Sequence, residues 1–293
     1  MMTIEVRYYT DPVCTWSWGA EPVLRRLAWE FGDSLRWRLV MGGLARVYGP
    51  DYRDEEGDIG SGADCFADLM AHWLDVAART EMPCDPRLWT QNPLSSSHPA
   101  CMAVKAASEQ GESAGLAYAR RVREALMVER KKLDHVEALV AEAGPAGLDS
   151  KRFRIDLESN AIIEAFAADL DEVRDVPAQA RADGAVRRTE GRERVALPSA
   201  VFVGEDGARH GVWGWRPYAA YREAALAAGA IVAEEGRPEL LGAIERFGRC
   251  ATREIEELTG QPRPVVEAEL WGLARDWRLK PVPALTGTLW ELP

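Results

Sequence analysis

Residues 8–27 read YYTDPVCTWSWGAEPVLRRL, and the placing of one cysteine, Cys14, within them decides the fold. Upstream, residues 3–9 (TIEVRYY) are β-branched and aromatic, the composition of a strand. Downstream, residues 20–31 (AEPVLRRLAWEF) repeat apolar side chains at Val23, Leu24, Leu27 and Phe31, which is helical spacing. Gly32 and Asp33 stop that helix. SLRWRLVMGGL then alternates Leu35, Trp37 and Leu39 with arginines before turning wholly apolar, a second strand. Cys14 therefore occupies a strand-to-helix turn. Ser17 follows three residues later, where a dithiol redox centre would carry its second cysteine.

Working outward, residues 60–185 carry almost only helical signals. ADCFADLMAHWLDVAAR, HPACMAVKAASEQ, GLAYARRVREALMVER and VEALVAEAG each show an apolar stripe of period 3.6. Asp149 or Ser150 is placed to cap a helix. Strands are expected to return at residue 199, where SAVFVGEDGARHGVWGW holds two apolar runs joined by an Asp-Gly turn. RPYAAYREAALAAG follows as a helix, with Pro217 near its start and Gly229 at its end.

From about residue 237 three short helical segments precede a turn and a strand pair, with residues 233–238 as a hinge. The order is similar to a winged helix-turn-helix, with Gly260 between helices and Gly287-Thr288 at the wing. Its charge argues against DNA: residues 237–293 hold eight basic and nine acidic residues, and Glu267 and Glu269 fall on the helix that would read bases. Trp271, Trp277 and Trp290 are expected to pack a small core.

The 293-residue chain, 47% hydrophobic, is long enough for a substantial core. Its net charge of -11 disfavours nucleic acid as a partner. No basic-then-apolar leader opens the sequence, and no apolar run nears the ~18 residues of a membrane span; a cytoplasmic location is expected. Five scattered cysteines (Cys14, Cys65, Cys84, Cys101, Cys250) contain no CxxC pair. His98 and Cys101 lack a second pair of zinc-like spacing, so no metal is expected.

A sulfur at a helix N-terminus meets unpaired amides and the positive end of the helix dipole, which favour thiolate over thiol. On that basis Cys14 is expected to be solvent-open and acidic, with the Ser17 hydroxyl assisting. Trp16 and Trp18 flank it. The alternative is a buried cysteine acting as a small hydrophobe.

TDPVCTWSW at the first turn, MGGL closing the second strand, SSSHPACMAVKAASEQG and VREALMVER in the helical stretch, and ALPSAVFV before the hairpin together resemble the DsbA-like branch of the thioredoxin fold. The closest likeness is to the cytoplasmic subgroup with FrnE-type oxidoreductases and the YjbH-type adaptor of ClpXP. The resemblance spans about residues 3–230 and implies an α/β thioredoxin-like domain (1–59 and 186–232) with an all-helical insertion (60–185); the winged-helix-like block (237–293) stands apart from it. It implies Cys14 as nucleophile, Ser17 in place of the second cysteine, and Pro198 as a cis proline facing the sulfur. Leu197 would offer its backbone to an extended substrate, and Thr15 and Trp16 would join Leu197 and Pro198 in binding it.

With serine at 17, another molecule must resolve any mixed disulfide. The readings left are single-thiol exchange with a protein or small-thiol disulfide, disulfide isomerisation, and a glutathione-dependent isomerase or transferase of the kappa type. A non-catalytic adaptor presenting a protein client to a ClpXP-type protease stands beside them. No bound cofactor is implied; glutathione, mycothiol or bacillithiol could serve as co-substrate, and a homodimer is compatible with the sequence.

Overall fold

The computed structural model describes residues 3–49, 52 and 65–293. The chain runs β1 (Ile4–Thr10), α1 (Thr15–Gly19), α2 (Glu21–Phe31) and β2 (Leu35–Met41). Eight helices follow: α3 (Cys65–Thr80), α4 (Leu88–Gln91), α5 (His98–Ser108), α6 (Glu112–Met127), α7 (Val136–Ala141), α8 (Ser150–Leu157), α9 (Asn160–Arg174) and α10 (Ala178–Ala182). Then come β3 (Val186–Thr189), β4 (Arg192–Val195), β5 (Ser199–Val203), β6 (Arg209–Val212) and α11 (Tyr218–Ala227). The chain closes with α12 (Leu240–Phe247), β7 (Cys250–Ala251), α13 (Thr252–Thr259), α14 (Arg263–Arg275), β8 (Lys280–Pro283) and β9 (Thr288–Glu291).

The central sheet has the order β2-β1-β5-β6. β1 and β2 are parallel, Ile4 facing Leu35 and Thr10 facing Met41, while β5 runs antiparallel to β1 and β6 antiparallel to β5. Alternation splits β1 between two cores. Ile4, Val6 and Tyr8 join Val23, Leu27 and Phe31 of α2 in the main cluster. Tyr9 turns to the other face, where Cys14, Val40, Val173, Val201 and Trp213 form a second cluster. Parallel strands joined through a helix, with an antiparallel pair added beside β1, are the thioredoxin-like arrangement that the sequence resemblance implied.

Two expectations change. Strands do not wait for residue 199: β3 and β4 pair antiparallel over 186–195 as a separate ribbon. Its sequence, VRRTEGRERV, has no apolar alternation because most of the ribbon is solvated, so the period-2 signal is missing. The expected boundary between residues 59 and 60 lies outside the described residues.

In the last block β7-β9-β8 form a three-stranded sheet beside α12, α13 and α14. Its core is Leu240, Ile244, Cys250, Ile255, Val266, Leu270, Leu279 and Trp290. Of the three tryptophans expected there, Trp290 alone is buried; Trp271 is 56% and Trp277 87% exposed. Trp277 stands at φ 58 just beyond α14, where the turn directs its side chain outward.

Candidate functional site

Cys14 is the N-cap of α1, with an extended backbone (φ -73, ψ 111), and its Sγ accepts the Ser17 amide at 3.4 Å. The turn is built by Asp11. This fully buried carboxylate accepts the amides of Val13 and Leu44, both at 2.8 Å, and the Ser97 hydroxyl at 3.1 Å. The Cys101 thiol donates to it at 3.2 Å. Asp11 thus fastens the Cys14 turn to the loop after β2 and to α5, a larger part than that of a turn former. Cys101 and His98 are accounted for by packing; the His98 ring lies 5.0 Å from that of Phe166.

Across from the sulfur runs the loop before β5. The Leu197–Pro198 peptide bond is cis. The Cys14 thiol donates to the Leu197 carbonyl at 3.8 Å. Gly42, just after β2, lets the Leu197 side chain pack close: a Cβ there would lie 2.3 Å from Leu197 Cδ1 and would displace that side chain.

The expectation of an open, acidic thiol is not met. Cys14 is only 6% exposed and belongs to an apolar cluster with Tyr9, Leu197 and Trp213. Burial pushes its pKa up; the Ser17 hydroxyl and amide pull the other way and lose, the Asp11 charge adds to the rise, and Arg194 opposes it. Two features of the turn account for this. The helix behind the sulfur has only five residues, so little dipole stands behind it. The Leu197 carbonyl also rewards the protonated form. Ser17 Oγ is buried and meets hydrogen-bonding geometry with no protein group, so it acts on the sulfur as a nearby dipole.

Cys14 lines one wall of a cleft of about 780 Å³. Thr15, Trp16 and Leu197 line it too, whereas Ser17 and Pro198 are buried and do not. Trp16 stands 5.8 Å from Trp215, whereas Trp18 turns into the core and donates to the Pro83 carbonyl at 2.8 Å. Further lining comes from α3, through Leu69, His72 and Arg79, and from the β3–β4 ribbon, through Arg187 and Arg194. Trp213 is a further wall residue that the sequence reading did not single out; its buried indole N–H has no acceptor. The signal available for the ribbon was its run of arginines near the Leu-Pro loop. No residue of 237–293 lines the cleft.

No helix among the described residues is long and apolar enough to cross a membrane. All five cysteines are free thiols and buried.

Several known proteins are similar to this chain. The ClpXP adapter protein SpxH of Halalkalibacterium halodurans is 30% identical over 176 residues, which cover 59% of this chain and 55% of that protein. SpxH of Shouchella clausii aligns over 298 residues at 25% identity, covering 98% of this chain and 88% of its own. The chain thus spans about half the length of the first relative and most of the second. Among solved structures, the cytosolic disulfide reductase DsbM from Pseudomonas aeruginosa superposes with a TM-score of 0.55 at 21% identity, covering 76% of this chain and 98% of that one. At that identity the likeness is one of fold. Residues 8–179, more than half of the chain, match the family described as Thioredoxin, and the chain belongs to that family.

Proposed function

We propose that this chain is a thiol-disulfide exchange protein working through Cys14 alone. The observation that carries the reading is the position of the sulfur: on the wall of a cleft, with the Ser17 amide at 3.4 Å and the Leu197 carbonyl at 3.8 Å. The resting thiol is held protonated by burial and by that carbonyl. An extended substrate that takes the Leu197 carbonyl for its own backbone N–H releases the S–H, and the Ser17 amide and hydroxyl then favour the thiolate.

The thiolate attacks one sulfur of a substrate disulfide. A Cys14–substrate S–S bond forms, the substrate S–S bond breaks, and the leaving sulfur departs as thiolate. A second thiolate then attacks the substrate sulfur of the mixed disulfide and returns Cys14 with its electron pair. That thiol comes either from the substrate, giving isomerisation, or from a low-molecular-weight thiol such as glutathione, mycothiol or bacillithiol, giving net reduction. Ser17 cannot perform this step, so no internal disulfide competes.

The test is exchange on a glutathionylated peptide, followed by intact mass. Wild type should remove the adduct and carry it transiently on Cys14, and Cys14→Ala should abolish both. A second reading is favoured by the buried, protonated thiol together with the names of the relatives, both ClpXP adapter proteins. In it the cleft holds a protein client and Cys14 is a packing residue. Absence of exchange by wild type, with Cys14 alkylated only at high pH, would establish that reading instead.

A further inference from the structure

The cleft differs in charge from the molecule that bears it. The chain carries a net charge of -11. The cleft is lined by Arg79, Arg187, Arg188, Arg194 and Arg216 against Asp68, Asp75 and Asp183. Two of these aspartates are already engaged: Asp75 pairs with Arg79 at 3.0 Å, and Asp183 receives the Gln179 amide at 2.8 Å.

Arg187 and Arg216 are in the opposite condition. Both are exposed. Arg187 donates to the Gly184 and Val186 carbonyls and Arg216 to the Trp215 carbonyl. Neither meets a carboxylate among the described residues. They come from different elements, the β3–β4 ribbon and the segment after β6, and both line the cleft that holds Cys14. Trp213 lines the same cleft, with its indole N–H edge packed against Gly211 of β6 and away from solvent. Two guanidinium groups without a carboxylate among the described residues, on two different elements of one cleft, fit a ligand that brings acceptor oxygens and negative charge.

We propose that the cleft selects disulfides carrying carboxylates beside the S–S bond, with Arg187 and Arg216 as the residues that read the charge. This rests on the exchange reading of Cys14 and adds the substrate class to it. Against a net charge of -11 for the whole chain, a cleft with more arginines than aspartates among its described lining residues is a local attraction for anionic substrates. The local field both concentrates them and turns the charged flank toward the ribbon, which leaves the sulfur–sulfur bond facing Cys14.

The experiment compares two cystine peptides of equal length, flanked by aspartate or by lysine, and two small disulfides, dithiodiglycolate and cystamine. Exchange by wild type should favour the acidic member by about tenfold at low salt, the lower end of electrostatic steering into a charged cleft. The ratio should fall toward one between about 0.02 and about 0.5 M salt as screening shortens. The double variant Arg187→Glu/Arg216→Glu should reverse it. A preference in peptides alone identifies a polypeptide substrate; a preference in both pairs identifies charge alone. Equal rates, or a preference that survives the double variant, overturn the proposal.

Binding of the same peptides to Cys14→Ser, followed by the fluorescence of the cleft tryptophans, separates the two readings. Salt-sensitive binding of the acidic peptide without turnover by wild type would defeat the exchange reading and keep the charge selection. Equal binding of both peptides would defeat the charge selection even where exchange occurs.

Discussion

At Cys14 three influences act on one proton. Burial and the Leu197 carbonyl hold it on sulfur, the Asp11 carboxylate opposes a second negative charge nearby, and the Ser17 amide and hydroxyl with Arg194 favour its loss. Burial prevails, so the sulfur rests as a thiol. The serine then contributes more than the absence of a second thiol. Ser17→Ala removes the hydroxyl dipole and leaves the amide, so the thiolate loses one of its stabilisers. The midpoint of Cys14 alkylation against pH should move upward, and the rate at neutral pH should fall roughly three- to tenfold, with folding intact. Peptide mapping of the alkylated protein reads this at Cys14 itself. Cys84 and Cys250, pushed up to about 11 by burial, contribute little at that pH. A downward midpoint would show that Ser17 Oγ does not act on the sulfur.

At the scale of elements, the cleft depends on how closely α1 meets α3. Gly19 ends α1, and a Cβ there would lie 2.4 Å from Thr80 Cγ2 and 2.9 Å from its Cβ. Thr80 cannot swing away, because a β-branched side chain has few rotamers and its hydroxyl already donates to the Val76 carbonyl at 2.8 Å. At an exposed helical site, Gly→Ala gains up to about 1 kcal/mol. Here the close approach reverses the sign: Gly19→Ala should lower stability by about 1–3 kcal/mol, measured by urea unfolding. It should also push α3 outward and change substrate KM more than kcat, since α3 supplies a wall of the cleft and not the sulfur. Unchanged stability would mean that α1 and α3 are free to separate.

For the whole molecule, the deciding feature is the joint between the last block and the rest. Glu254 of α13 is fully buried and takes Arg25 at 2.8 Å and Arg120 at 2.7 Å. Arg120 continues to Glu124 at 2.7 Å and Glu21 at 3.2 Å, and its guanidinium lies 4.5 Å over the Trp18 ring. Arg249 adds Glu129 at 2.8 Å and Glu291 at 2.6 Å. The block is therefore seated on α2 and α6, behind the helix that follows Cys14, and leaves the cleft uncovered. Such a joint is costly to break from one side. Glu254→Gln takes from buried Arg25 its carboxylate partner, while Arg120 keeps Glu124 and Glu21, and should cost about 3 kcal/mol in chemical unfolding. Replacing Glu254, Arg25 and Arg120 together by methionine should recover much of that loss. A single variant as stable as wild type would mean that water reaches the joint.

The sequence by itself determined the elements whose side chains repeat with a clean period. β1 was legible from its β-branched and aromatic run, β2 from its alternation, and α2 and the longer helices of 60–185 from their apolar stripes. Cys14 could be singled out, since a lone cysteine between a strand and a helix is a short-range pattern, as is the Leu-Pro step before β5. The tertiary structure alone decided what surrounds that sulfur. Its burial, the Leu197 carbonyl over it, the Asp11 clamp reaching Leu44 and Ser97, and the arginine ribbon across the cleft are contacts between residues far apart in the chain. A pKa follows from the solvent and charges around a group in space, and the depth of its burial follows from segments that meet only in the fold. Local periodicity carries no record of either.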